Sequence, residues 1–229
     1  WNMLVYGTAL FFFFKISGDE SYAVSKKAFF FYFLGLTNLM FGWAHHIYIV
    51  PTAPWIRYFA YGISMTEWII LFSIIYDWKK NLSTAKKTEF SLAYKLMMMA
   101  DFWVFFNIVL ALLLSIPAIN LFTHGTHITV AHSMGTTIGI NTLILLSSIA
   151  YIIEITNPMG MRSRKNIQIG IKIFHSSFLL FWITLLLMGA KKGYWTFFNP
   201  TISFGKFQDS LHWIYTLFTL FGIGILIGL

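Results

Sequence analysis

The sequence has 229 residues, 58% of them hydrophobic, 20% aromatic and only 10% charged, with a net charge of +8. That profile excludes an ordinary water-soluble domain and marks an integral membrane protein. The absence of Cys excludes disulfides and thiolate metal sites, and the excess of positive charge implies no nucleic acid, because topology alone accounts for it.

The apolar runs predict an all-α fold, a polytopic transmembrane helix bundle of seven segments. They lie at about residues 1–14, 27–50, 56–77, 94–117, 126–155, 168–190 and 208–229, lettered A to G in chain order, and the lipid bilayer is their partner. All but A are long enough to cross ~30 Å of hydrocarbon at ~1.5 Å per residue. Periodicity is nearly absent within them, as expected of helices surrounded by lipid and by other helices. The chain opens with Trp1 rather than Met, so segment A is expected to be the tail of a helix that begins upstream. Residues 1–229 are then expected to be a single transmembrane domain, the C-terminal part of something longer, with the N-terminal half or a partner subunit supplying the rest. No soluble domain, repeat or low-complexity tract is present.

Basic residues mark the cytoplasmic side of short loops. The A–B, C–D and E–F connections and the helix ends beside them carry Lys15, Lys26, Lys27, Lys79, Lys80, Lys86, Lys87, Lys95, Arg162, Arg164, Lys165 and Lys172. The opposite side has only Arg57, Lys191, Lys192 and Lys206. Segment A therefore enters from outside, and segment G finishes in the cytoplasm.

Two apolar contexts contain histidines. In "FGWAHHIYIVP", His45 and His46 lie ~6–8 Å below the outer end of segment B, and in "THGTHITVAHSMGTTIG", His132 lies ~9 Å below the outer start of segment E. Three imidazoles can thus share one layer of the membrane. Neutral imidazole is the commonest metal ligand, and a cluster without Cys and with few carboxylates suits iron or copper. One intramembrane His alone is more often an interhelical hydrogen-bonding group, and His175 and His212, single on segments F and G, are read that way. His132 and Met134 are two residues apart, a rotation of ~200°, so they leave segment E on opposite faces. Spacing alone leaves Met134 as packing.

The adjacent "HH" near the outer end of one helix, followed three helices later by "THGTHITVAHSMG", resembles the "THGT…TVAHxH" signature of the catalytic subunit of the haem-copper oxidase superfamily. Within it the chain is most similar to the nitric oxide reductase branch. "KISG" after segment A, "GYW" after segment F and the segment count extend the likeness along nearly the whole chain. Segments A to G would match helices six to twelve of a twelve-helix subunit. The resemblance implies that His45 and His46 bind a non-haem metal, iron in reductases and copper in oxidases, and that His132 ligates a high-spin haem b. Met134 stands where the family has the histidine of a low-spin haem b. Either it ligates that haem as a thioether, which would raise the potential, or the haem is lost or five-coordinate. Glu67, in "SMTEWII", occupies the place of a carboxylate near the active-site haem, whereas Asn2 stands where reductases have a glutamate near the non-haem iron. His124 and His127 lie where haem propionates are found, and a propionate contact and an ordinary helix-entry role stay open for both. Asp101 has no family role and is read as an interhelical hydrogen-bonding group.

The expected activity is reduction of nitric oxide to nitrous oxide at a haem b/non-haem iron pair. The alternative within the family is a terminal oxygen reductase, a cytochrome c oxidase, although "MFGW" before His45 lacks a tyrosine to cross-link to a metal-bound histidine. A different class is a proton or ion transporter without haem, with His45, His46, Glu67 and Asp101 as its path. It explains neither the matched depths nor the long motif. The resemblance further implies a cytochrome c-type subunit or quinol as electron donor, and a bacterial inner membrane with the site toward the periplasm.

Overall fold

In the computed structural model, residues 21, 24–41, 47–81, 90–156 and 160–229 are described. Segment A, His45 and His46 lie outside them. Among the described residues the protein is an all-α bundle without strands: α1 (Lys26–Phe41), α2 (Pro54–Asn81), α3 (Ser91–Ser115), α4 (Pro117–Thr123), α5 (His127–Met134), a π-helical segment (Gly135–Thr142), α6 (Leu143–Thr156), α7 (Met161–Phe198), α8 (Phe204–Asp209) and α9 (His212–Gly228). Helices Ser91–Ser115, His127–Thr156 and Met161–Phe198 are long and apolar enough to cross a membrane, because each keeps every backbone bond within the helix and offers hydrocarbon an apolar surface.

The core is the seam where α3, the α5–π–α6 rod and α7 meet, and α9 packs along α7. The seam has the helical spacing that sequence periodicity hides. On α3 the buried positions include Leu96, Ala100, Trp103, Asn107, Leu110 and Leu114, and on α7 Phe174, Phe178, Trp182, Leu185 and Gly189. Their opposite faces are apolar as well, so the amphipathic signal cancels. Trp103 anchors the seam, with ring centroids 4.3 Å from Phe178 and 5.7 Å from Trp182. Small residues let the rods approach. A Cβ added at Gly139 would sit 2.7 Å from the Trp103 ring, so glycine is what the contact admits. On the outside, Phe29, Phe30, Trp213 and Leu226 are exposed, as a lipid-facing surface requires.

Two expectations need correction. Segment B was expected to run as a helix to residue 50, but Ile47–Val50 form a turn, closed by Val50 N–H donating to Ile47 O at 3.0 Å. Pro51 and Pro54 follow and disfavour helix in the residues before them, while Tyr48 buries itself with Ala60 of α2. Segment F is longer than the expected 168–190, at 38 residues. Its basic and amide-bearing first turns are good helix formers, and no proline occurs between Pro158 and Pro200. Segment G matches α9 within a few residues, with the short helix α8 before it. Segments C, D and E match α2, α3 and the α5–π–α6 rod within a few residues.

Candidate functional site

The site grows from the turn that starts α5. His124 is the extended residue after α4, with ψ 135°, and Gly125 follows at φ +68°. That left-handed conformation costs glycine little. Thr126 then closes and caps at once: its hydroxyl donates to Thr123 O at 2.6 Å and accepts from Ile128 N–H at 3.2 Å. This is an N-cap bond. From α7, Lys192 donates to Gly125 O at 2.7 Å. His127 opens α5 with its ring edge toward Tyr215 at 6.4 Å, and its Nδ1 is buried without a hydrogen-bond partner among the described residues. His124 and His127 thus flank one pinned turn at the mouth of the rod.

Below it, Ala131, Gly135 and Gly139 form the buried line of the rod. Ala131 accepts at its carbonyl from Trp182 Nε1–H at 2.9 Å. Gly135 lies so close to Asn107 that a Cβ would collide with it. His132 and Met134 stand on either side of this line, and both are half-buried. Ser133, between them, is exposed. The expected divergence of the two side chains is therefore present in a helix whose third face is fixed against α3 and α7.

Directly after Met134 the α-ladder gives way to the π segment, a local widening often found at functional sites. Gly135 N–H points to both the Ala131 and His132 carbonyls, and Thr136 Oγ1–H donates to His132 O at 3.3 Å. Asn107 Nδ2–H donates to that hydroxyl at 2.7 Å. Sequence reading missed Asn107, Thr136 and Trp182. The available signal was an Asn and a Trp inside runs otherwise apolar, where polar groups need partners.

Glu67 is carried midway along α2. Asp101 is buried on α3, and His175 of α7 packs edge-on against Phe102 and Trp103 at 5.2 and 6.1 Å. His212 opens α9 beside Trp213. Among the described residues no three His, Asp or Glu side chains gather as a metal site, so what is brought together is the His124–His127 mouth and the His132/Met134 pair. The donor chemistry of that pair fits haem iron, since imidazole and thioether are both axial ligands, with Met134 packed partly against the core and His132 Nδ1 buried.

No curated protein matches this chain. The family model described as Cytochrome C and Quinol oxidase polypeptide I matches residues 1–224, almost the entire sequence, and the protein therefore belongs to that family of haem-copper membrane oxidoreductases.

Proposed function

We propose that this chain is the nitric oxide-reducing type of that family, converting two nitric oxide molecules, two electrons and two protons to nitrous oxide and water. The observation that supports the haem assignment is the His132/Met134 pair, an imidazole and a thioether, both able to ligate haem iron, on opposite flanks of one pinned rod. His132 would hold the high-spin haem b and Met134 the low-spin haem b, while His45 and His46 would contribute to a non-haem iron. Haem and a second metal supply the redox chemistry. The chain's own residues orient and protonate. Trp182, Thr136 and Gly135 hold the ligand-bearing backbone, His124 offers a hydrogen bond to a propionate, and Glu67, in the membrane interior, holds a proton for delivery. A cytochrome c-type subunit or quinol would donate electrons from the periplasmic side of a bacterial inner membrane, with the N-terminal half of the catalytic unit completing the site.

The oxygen-reducing alternative has in its favour the family description itself, which names oxidases. Against it stands "MFGW", which lacks a tyrosine beside His45. Metal analysis separates the two. His45→Ala or His46→Ala in membrane-purified protein should leave the haem spectrum intact, abolish turnover and remove about one non-haem iron per complex. Copper lost in its place would make the protein an oxygen reductase. A colourless wild-type complex would return it to the transporter class.

A further inference from the structure

We propose that Trp182 and Thr136, the latter set by Asn107, are positioning residues that lock both peptide groups flanking the His132 Cα. The inference deepens the assignment of His132 as a haem ligand and rests on it. The Ala131 carbonyl belongs to the peptide entering His132, and the His132 carbonyl belongs to the peptide leaving it. Inside a regular helix such oxygens accept the amide four residues on, and a Ser or Thr four residues on often adds its hydroxyl, as Ser148 does to Ile144 O. Here each also receives a side-chain donor: Trp182 Nε1–H reaches Ala131 O at 2.9 Å from α7, and Thr136 Oγ1–H reaches His132 O at 3.3 Å.

The second donor is itself directed. A threonine hydroxyl has one proton. Asn107 Nδ2–H, coming from α3 at 2.7 Å, occupies a lone pair of the Thr136 oxygen, which leaves the hydroxyl proton to point at His132 O. Asn107, Trp182 and Ala131 are all buried. In that apolar surrounding a hydrogen bond is electrostatically stronger than in water, and a lost one leaves an exposed dipole in hydrocarbon. Two neighbouring helices therefore clamp the His132 backbone from opposite ends of one residue. The α-ladder gives way to the π segment at Gly135, so the clamp lies where the backbone bonding pattern changes. Fixing both peptide planes fixes the direction of the His132 Cα–Cβ bond, and with it the approach of the imidazole to iron.

The test uses holoprotein purified from membranes, with Thr136→Val, Thr136→Ser and Trp182→Phe beside His132→Ala. Two signals are read: the iron–histidine stretching band of the ferrous high-spin haem by resonance Raman, and amide hydrogen exchange of residues 131–136. Thr136→Val has nearly the same shape without the donor. It should shift or broaden the band and speed exchange by roughly tenfold, the scale of one lost buried hydrogen bond. Trp182→Phe should act in the same direction, and Thr136→Ser should restore both signals. A wild-type band and wild-type exchange in Thr136→Val would overturn the proposal, whether or not Trp182→Phe accumulates. If His132→Ala kept the iron–histidine band, the haem assignment would be wrong and the positioning role would fall with it. A lost band in His132→Ala with an unmoved Thr136→Val overturns the positioning role alone.

Discussion

Ser133 separates His132 and Met134 and faces outward, while the backbone before it is held at Ala131 O by Trp182 and at His132 O by Thr136. This constraint makes the two flanking side chains distinguishable by substitution. His132→Ala should remove the gas-binding high-spin haem and reduce turnover to background. Met134→Ala should spare that haem, perturb the low-spin one and slow its reduction. Met134→His should restore low-spin character at a lower midpoint potential, because imidazole favours ferric iron more than a thioether does. Redox titration of wild type and both Met134 variants is the check. Three indistinguishable low-spin spectra and potentials would make Met134 ordinary packing. The divergence of the pair was legible from a two-residue spacing. What holds them was not, since Asn107 and Trp182 reach them from helices distant in the chain, 29 and 51 residues from their hydrogen-bond partners.

At the scale of elements, the end of the bundle opposite His124 is tied by a carboxylate that no local motif announced. Glu154, near the end of α6, accepts the amides of Leu92 and Ala93 at 3.3 Å each. Those amides begin α3, which lacks a side-chain cap of its own. An acid from another helix thus satisfies the orphan donors and meets the positive end of the helix dipole. Arg164 of α7 completes the clamp, 3.4 Å from Glu154 and donating to Ser91 Oγ at 2.9 Å. The Glu154 side chain is only 2% exposed against 34% for Arg164. Removing the acid strands two amides and one cation, so Glu154→Ala should cost roughly 2–3 kcal/mol, the low side for a broken buried pair because Arg164 retains water. Glu154→Gln keeps one acceptor and should cost less. Thermal unfolding in detergent measures both, and equal midpoints for Glu154→Ala and wild type would deny the clamp. Helix existence was readable from run length. The Glu154 cap and the π segment depend on contacts between rods, and a run of apolar letters does not encode them.

The same tie fixes the arrangement of the whole molecule. The starts of α3 and α7 meet the end of α6 at Glu154, and the last residue of α9, Gly228, lies against Gly170 and Phe174 near the start of α7. At the far end of α7, Lys192 pins the Gly125 turn and Lys191 donates to Ser210 O at 3.1 Å. The rods therefore alternate in direction, as the charge pattern required. The 38 residues of α7 span about 57 Å, well beyond the hydrocarbon core, and leave both ends in water. Ser163 and Ser203 are exposed at those two ends. The chain has no Cys, so a single introduced thiol is read without background. The Glu154 end carries Lys95, Arg162, Arg164, Lys165 and Lys172, and basic ends stay cytoplasmic. Ser203→Cys should accordingly react with a membrane-impermeant maleimide on intact cells, and Ser163→Cys only after the membrane is opened. The reverse pattern would invert the orientation and put the proposed electron donor on the cytoplasmic side. Labelling of both thiols on intact cells would mean that α7 does not span, and the bundle described here would be wrong at its longest helix.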